Sequence, residues 1–78
     1  MKDILHTIVT SIVEDQDSVE ISETEENGVL NLTISVAPTD MGKIIGKNGK
    51  VIKAIRNVMK IPAMKANKKV FVTLAENL

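Results

Sequence analysis

Four consecutive residues carry the clearest chemistry in this chain: Gly46, Lys47, Asn48 and Gly49, two glycines three apart with a cation and an amide between them. Glycine accepts the positive φ that a tight turn requires, and its missing Cβ lets another backbone approach closely. Gly49 also opens an amphipathic segment, so unpaired N–H groups and the positive end of a helix dipole face whatever lies over the turn. The ligand such a turn suits is anionic, most simply a phosphate.

Other glycine-loop chemistries fail on spacing. A Walker A loop ending at Gly49-Lys50 requires glycine at position 44 and Ser or Thr at 51, where Ile44 and Val51 stand. A dinucleotide fingerprint ending at Gly49 also requires glycine at 44. The basic half of the chain has no paired carboxylates, no metal-ligand cluster and no Ser/His/Asp set, so no catalysis, no metal, no cofactor and no small-molecule substrate are expected. His6, the single histidine, falls on the polar side of the first helix, away from any second ligand or nucleophile.

Charge sharpens the reading. The net charge is zero, yet nine of ten acids lie within residues 3–40 and nine of ten bases within 43–69. The second half therefore presents a positive potential that the total conceals. A basic patch around an anion-shaped loop points to nucleic acid; without the loop it reads equally well as a solvated face balancing the acidic half. With one aromatic residue in 78, stacking on aromatic platforms is not an expected binding mode. No apolar run approaches the roughly 18 residues of a membrane span, and the first helix lacks the lysines and aromatics of a membrane-surface helix, so no membrane partner is expected. The absence of cysteine is compatible with the cytoplasm, where the chain is expected.

The elements that position the turn follow from periodicity. Ile4, Leu5, Ile8, Val9, Ile12 and Val13 recur at helical spacing. Val19–Ser22 alternates as a half-buried strand, the acidic run of Glu23, Glu25 and Glu26 continues outward, and Asn27-Gly28 signals a hairpin. Leu30, Leu32, Ile34 and Val36 form the best strand. Thr39 or Asp40 is placed to cap a short helix, Met41–Ile45, in which Gly42 allows close packing or close approach of a ligand. After the turn, Val51, Ile52, Ile55, Val58 and Met59 make an apolar stripe, with Lys50, Lys53, Asn57 and Lys60 opposite. Pro62 is expected to kink or end this helix near Met59–Ile61, leaving the state of residues 63–66 open. Val70, Val72 and Leu74 form a last strand, which after a crossover of this length returns parallel to the strand it left. The expected class is α+β: α-β-β-α-α-β, a three-stranded mixed sheet covered on one face by helices.

A strand, a short helix, Ile44-Ile45-Gly46-Lys47-Asn48-Gly49-Lys50, an apolar helix and a returning strand together resemble a type II KH domain, the bacterial arrangement, over residues 1–78 as one domain. Among KH proteins, a free-standing domain of this length most resembles the small bacterial KhpA family of RNA-binding proteins. The resemblance implies single-stranded RNA as partner, its backbone clamped by Gly46, Lys47, Asn48 and Gly49, with Lys43, Lys50 and Lys53 at the edge. Ile44, Ile45 and Ile52 then belong either to the floor of a base-binding groove or to the core. It implies a role as RNA chaperone or post-transcriptional regulator, self-dimerisation or pairing with a larger KH-containing protein, and a link to cell elongation and envelope growth. An alternative is a protein adaptor in which RNA binding is secondary. Pro62 departs from relatives that carry an uninterrupted alanine-rich segment there. The residues near it, Met59, Ile61 and Met64, are the candidates for a dimer interface, because methionine adapts well to partner surfaces and Ile61 and Met64 have no evident core position.

Overall fold

The computed structural model describes residues 1–75. Its order is α1 (Lys2–Ile12), β1 (Glu20–Glu26), β2 (Val29–Ser35), α2 (Met41–Ile45), α3 (Lys50–Lys65) and β3 (Lys69–Leu74), with single 3-10 turns at Gln16–Ser18, Pro38–Asp40 and Lys47–Gly49. The sheet order is β1-β2-β3. β1 and β2 pair antiparallel, from Glu20 opposite Ser35 to Glu26 opposite Val29. β3 lies parallel to β2, from Val29 beside Lys69 to Ile34 beside Leu74. This is the type II KH arrangement.

The hairpin forms as its sequence dictates. Asn27 (φ 54°) and Gly28 (φ 77°) both occupy the left-handed region, which a two-residue loop needs in order to follow the strands' twist. β1 is longer than its hydrophobic pattern suggests, because the pairing with β2 carries Glu23, Glu25 and Glu26 along although Ile21 is its only buried residue. On the helix side of the sheet, Ile21, Leu30, Leu32, Ile34 and Val72 meet Leu5 and Val9 of α1, Ile44 of α2, and Ile55 and Met59 of α3. The core is aliphatic throughout, in line with the composition. Two residues of the expected stripes fall outside it: Ile4 is 44% exposed and Val58 is 47% exposed. Each sits at the flank of its helix, where the small three-stranded sheet offers nothing to cover it.

Pro62 does not end α3, which runs on through Lys65. Ile55, Met59 and Ala63 are all buried, and carrying that four-residue spacing to Ala63 requires one more helical turn. What Pro62 removes is one donor to the Val58 carbonyl. The helix then closes at a left-handed Asn67 (φ 55°): the Lys68 N–H donates to the Ala63 carbonyl at 2.9 Å and the Asn67 N–H to the Met64 carbonyl at 3.1 Å. These are the paired bonds of a Schellman ending.

Asp40 also departs from expectation. No side-chain cap forms at the start of α2. The Asp40 carboxylate is 2% exposed and instead accepts the backbone N–H of Glu14 at 3.2 Å and of Asp15 at 3.0 Å. Both oxygens are thereby committed to the segment that leaves α1, and α2 is held against α1. Those backbone donors, Asp15 first, hold the Asp40 carboxyl below its usual range, with Lys43 adding to the effect.

Candidate nucleic-acid interface

α2 ends where Gly46 turns out of helical geometry at φ 73°, ψ 176°, its N–H still donating to the Gly42 carbonyl at 2.9 Å. A β-carbon on Gly46 would collide with the Val51 side chain and lie 2.8 Å from the Val51 backbone nitrogen. The first glycine is therefore required twice, by conformation and by space. Asn48 (φ 59°, ψ 26°) and Gly49 (φ 74°, ψ 17°) follow in the left-handed region, and Gly49 is the N-cap of α3. Gly49 differs from Gly46 in having room: an added β-carbon meets only Ile52 Cγ2, at an ordinary 4.0 Å. Gly42 stands in open space, so close packing within the chain does not explain it.

Between the glycines, Lys47 and Asn48 are exposed. Lys47, Lys50 and Lys53 have no ion-pair partner among the described residues, so their charge is available to a ligand. Lys43 is placed differently. Its ammonium lies 2.7 Å from Glu14 and 3.7 Å from Asp40, and the hydrogen bond to Glu14, foremost, raises its pKa. Its charge is thus shared with acids of the chain, through an exposed pair with Glu14 that links α2 to the segment after α1. The apolar candidates separate too. Ile44 is fully buried in the core, Ile45 is 40% exposed beside the loop, and Ile52 is half-buried against the core.

Beyond the loop the structure adds a surface that motif reasoning passed over. α3 and the edge strand β3 enclose a groove of about 480 Å³, walled by Lys53, Arg56, Asn57 and Lys60 on one side and residues 70–73 on the other. The Arg56 Nε–H donates to the Val72 carbonyl at 2.9 Å, which fixes the guanidinium across the groove. The polar side of α3 was visible as a periodic face; that it meets the edge of β3 follows only from the parallel crossover. Such a groove can hold an extended anionic chain, with cations along one wall and exposed strand backbone along the other.

The residues considered for self-association do not stay together. Met59 is fully buried at the centre of the core and cannot belong to an interface; the four-residue spacing with Ile55 and Ala63 takes it inward. Ile61 (59% exposed) gathers with Ile4, Val58, Pro62 and Lys65 around a shallow hollow of about 410 Å³. Met64 (74% exposed) lines other hollows, next to Lys68 and Lys69.

Among the described residues no helix is long and apolar enough to cross a membrane, and no group of three or more His, Asp or Glu is placed to hold a metal ion.

The family described as KhpA/KhpB, KH domain matches residues 2–74 of the chain. The chain is 47% identical over 74 residues to the RNA-binding protein KhpA of Clostridium acetobutylicum, a match covering 95% of this chain and 99% of that protein. The corresponding protein of Clostridium perfringens is 42% identical over the same shares of the two chains. That of Chlamydia caviae is 38% identical over 77 residues, 99% of each chain. With a type II KH fold, a Gly-x-x-Gly turn at the head of α3 and a match along almost its whole length, the chain belongs to the KhpA/KhpB KH-domain family.

Proposed function

We propose that the chain is a single KH domain that binds single-stranded RNA, with Gly46, Lys47, Asn48 and Gly49 clamping the sugar-phosphate backbone and Lys50, Lys53 and Ile45 extending the contact. The observation that carries this reading is the loop itself: a turn with three positive-φ residues, at the head of the longest helix, with an exposed Lys47 and Asn48 at its tip. The names of the relatives, RNA-binding proteins, support it. Lys43 serves at the edge, its ammonium shared with Glu14. The activity is binding rather than catalysis, as in an RNA chaperone or post-transcriptional regulator acting in the cytoplasm, and it connects to cell elongation and envelope growth through a KH partner.

A titration with short single-stranded RNA at two salt concentrations tests the reading. Phosphate contacts displace counterions, so affinity falls as salt rises, with a log-log slope of about 0.7 per phosphate neutralised. Affinity indifferent to salt removes the clamp.

One observation favours an additional reading. Exposed Ile4, Val58 and Ile61, with the half-buried Pro62, line one shallow apolar hollow on the side of α3 that does not face the groove. This hollow is the proposed surface for a homodimer, or for pairing with a larger KH-containing protein. A chain this small gains stability by covering such a surface, and two-fold pairing is the commonest way to do so. A dimer would also place two clamps on one strand, raising an affinity that a single KH loop keeps modest.

A further inference from the structure

Asp40 is the one buried charged side chain among the described residues, and the clamp as drawn above makes no use of it. Its Oδ1 accepts the Glu14 N–H at 3.2 Å, with the Lys43 ammonium at 3.7 Å, and its Oδ2 accepts the Asp15 N–H at 3.0 Å. Two adjacent backbone donors meet two acceptor oxygens. A carboxylate makes that match and an amide does not, since an amide offers one acceptor and turns its NH2 toward the second donor.

What these bonds hold is α2. The helix has five residues and no side-chain cap, too short to stand by its own backbone bonds. It is placed instead by Ile44 in the core, by Met41 packed against the core, by the exposed Lys43–Glu14 pair and by Asp40 at its head. Gly46 hangs from this helix, its N–H on the Gly42 carbonyl at 2.9 Å, whereas Gly49 caps the 16-residue α3. The two glycines of the turn thus depend on different supports: the second on a long packed helix, the first on a single turn pinned at Asp40.

We infer that Asp40 is a positioning residue for the RNA clamp: by fixing the head of α2 to the Glu14–Asp15 segment, it sets where Gly46 and Lys47 stand relative to Gly49 and α3. A binding loop keeps its geometry only through the bonds behind it. The inference rests on the RNA-binding reading and deepens it, since it makes a buried carboxylate with no contact to the strand a determinant of affinity.

The test measures binding of a single-stranded RNA of about four nucleotides, the span of one KH clamp, to the full-length chain without denaturant, with circular dichroism reporting that each protein is folded. Asp40→Asn is expected to lower affinity about two- to thirtyfold and to reduce the salt slope, because Lys47 and the loop no longer engage the same phosphates. Ala63→Gly, at the end of α3 away from the loop, lowers the urea midpoint but leaves affinity unchanged. Pro62→Ala, which adds stability, is the background for Asp40→Asn if the single variant is not folded. A second measurement needs no variant. Coupling is reciprocal, so saturating wild type with the strand is expected to slow hydrogen exchange at the Glu14 and Asp15 N–H groups more than across the β1–β2 hairpin. A folded Asp40→Asn protein with wild-type affinity, an affinity loss matched by Ala63→Gly, or exchange at Glu14 and Asp15 that the strand does not slow overturns the proposal and leaves Asp40 a staple of the fold. If wild type does not bind the strand, the RNA-binding reading falls and this proposal with it; if wild type binds and Asp40→Asn binds equally, only the proposal falls.

Discussion

Gly46 and Gly49 read alike in a Gly-x-x-Gly motif, but the structure makes them physically unequal, and alanine substitution separates them. At φ 73°, ψ 176°, Gly46 occupies a region essentially reserved for glycine, and forcing another residue there costs about 1–3 kcal/mol. Its β-carbon would also press on the Val51 side chain and backbone nitrogen, an overpacking that costs about 1–3 kcal/mol more. Val51 lies in the first turn of α3 and packs against the core, so it cannot simply move aside. Gly46→Ala therefore destabilises by about 2–6 kcal/mol, a large part of the roughly 4–12 kcal/mol expected of a chain this size. Gly49 sits at φ 74°, ψ 17° with open space around it, so Gly49→Ala costs only the left-handed penalty of about 1–2 kcal/mol. Gly49→Asn costs less again, since asparagine tolerates that conformation, as Asn48 beside it does. Urea unfolding followed by circular dichroism measures all three, at about 1 kcal/mol per M for a small protein. The midpoint should fall by about 2 M or more for Gly46→Ala and by about 1 M for Gly49→Ala. Equal losses, or a larger loss at Gly49, would refute the assignment of distinct roles.

Further outcomes follow from the same geometry. Pro62→Ala restores a donor to the Val58 carbonyl without disturbing the buried Ala63, so it should raise stability by about 1 kcal/mol or more at unchanged helix content; a lower urea midpoint contradicts this. Asp40→Asn should lower the midpoint at neutral pH, because the carboxylate holds the Glu14 and Asp15 N–H groups. Since the folded pKa of Asp40 lies below its usual 3.8, its contribution is present above that value and lost as pH falls through the folded pKa. The gap between wild type and Asp40→Asn should thus close only below 3.8, as pH falls through the lowered folded pKa, and a gap that persists undiminished in acid excludes the carboxylate as its source. Ile61→Lys places a charge in the Ile4/Val58/Pro62 patch and should convert a dimer to monomer by light scattering or sedimentation without loss of fold. A wild type that is monomeric at high micromolar concentration, or a variant that stays dimeric, removes Ile61 from the interface.

How much of this was legible in the residues varies with the kind of signal. The hairpin was written in Asn27-Gly28, whose positive φ values leave few other turns, and β2 in the alternation of Leu30, Leu32 and Ile34. The Gly46–Gly49 turn was readable because glycine spacing is local. What escaped depended on contacts between distant segments. Asp40 looked like a helix cap because it precedes Met41, yet its partners lie 25 and 26 residues earlier. Pro62 was expected to kink or end the helix because its local cost is large, but α3 runs through it and buries Ala63 one turn beyond Met59. Met59 was a candidate for the interface beside Met64 although it already belonged to the apolar stripe of α3; helical phase puts one at 0% exposure and the other at 74%. Lys43 looked as free as Lys50, and only the return of α1's end beside α2 supplies its Glu14 partner. The groove between α3 and β3 was hidden for the same reason: each wall was visible separately, and their meeting is a property of the crossover.

The central claim is that exposed side chains at the loop tip hold phosphates without holding up the fold. The measurement that tests it most directly is the affinity of the Lys47→Asp/Asn48→Asp double variant for single-stranded RNA, read beside its urea midpoint. Both side chains are exposed and Lys47 has no ion-pair partner among the described residues, so the account predicts an unfolding midpoint close to wild type and binding reduced to background. A folded variant that binds as wild type does, with the same salt dependence, would contradict it.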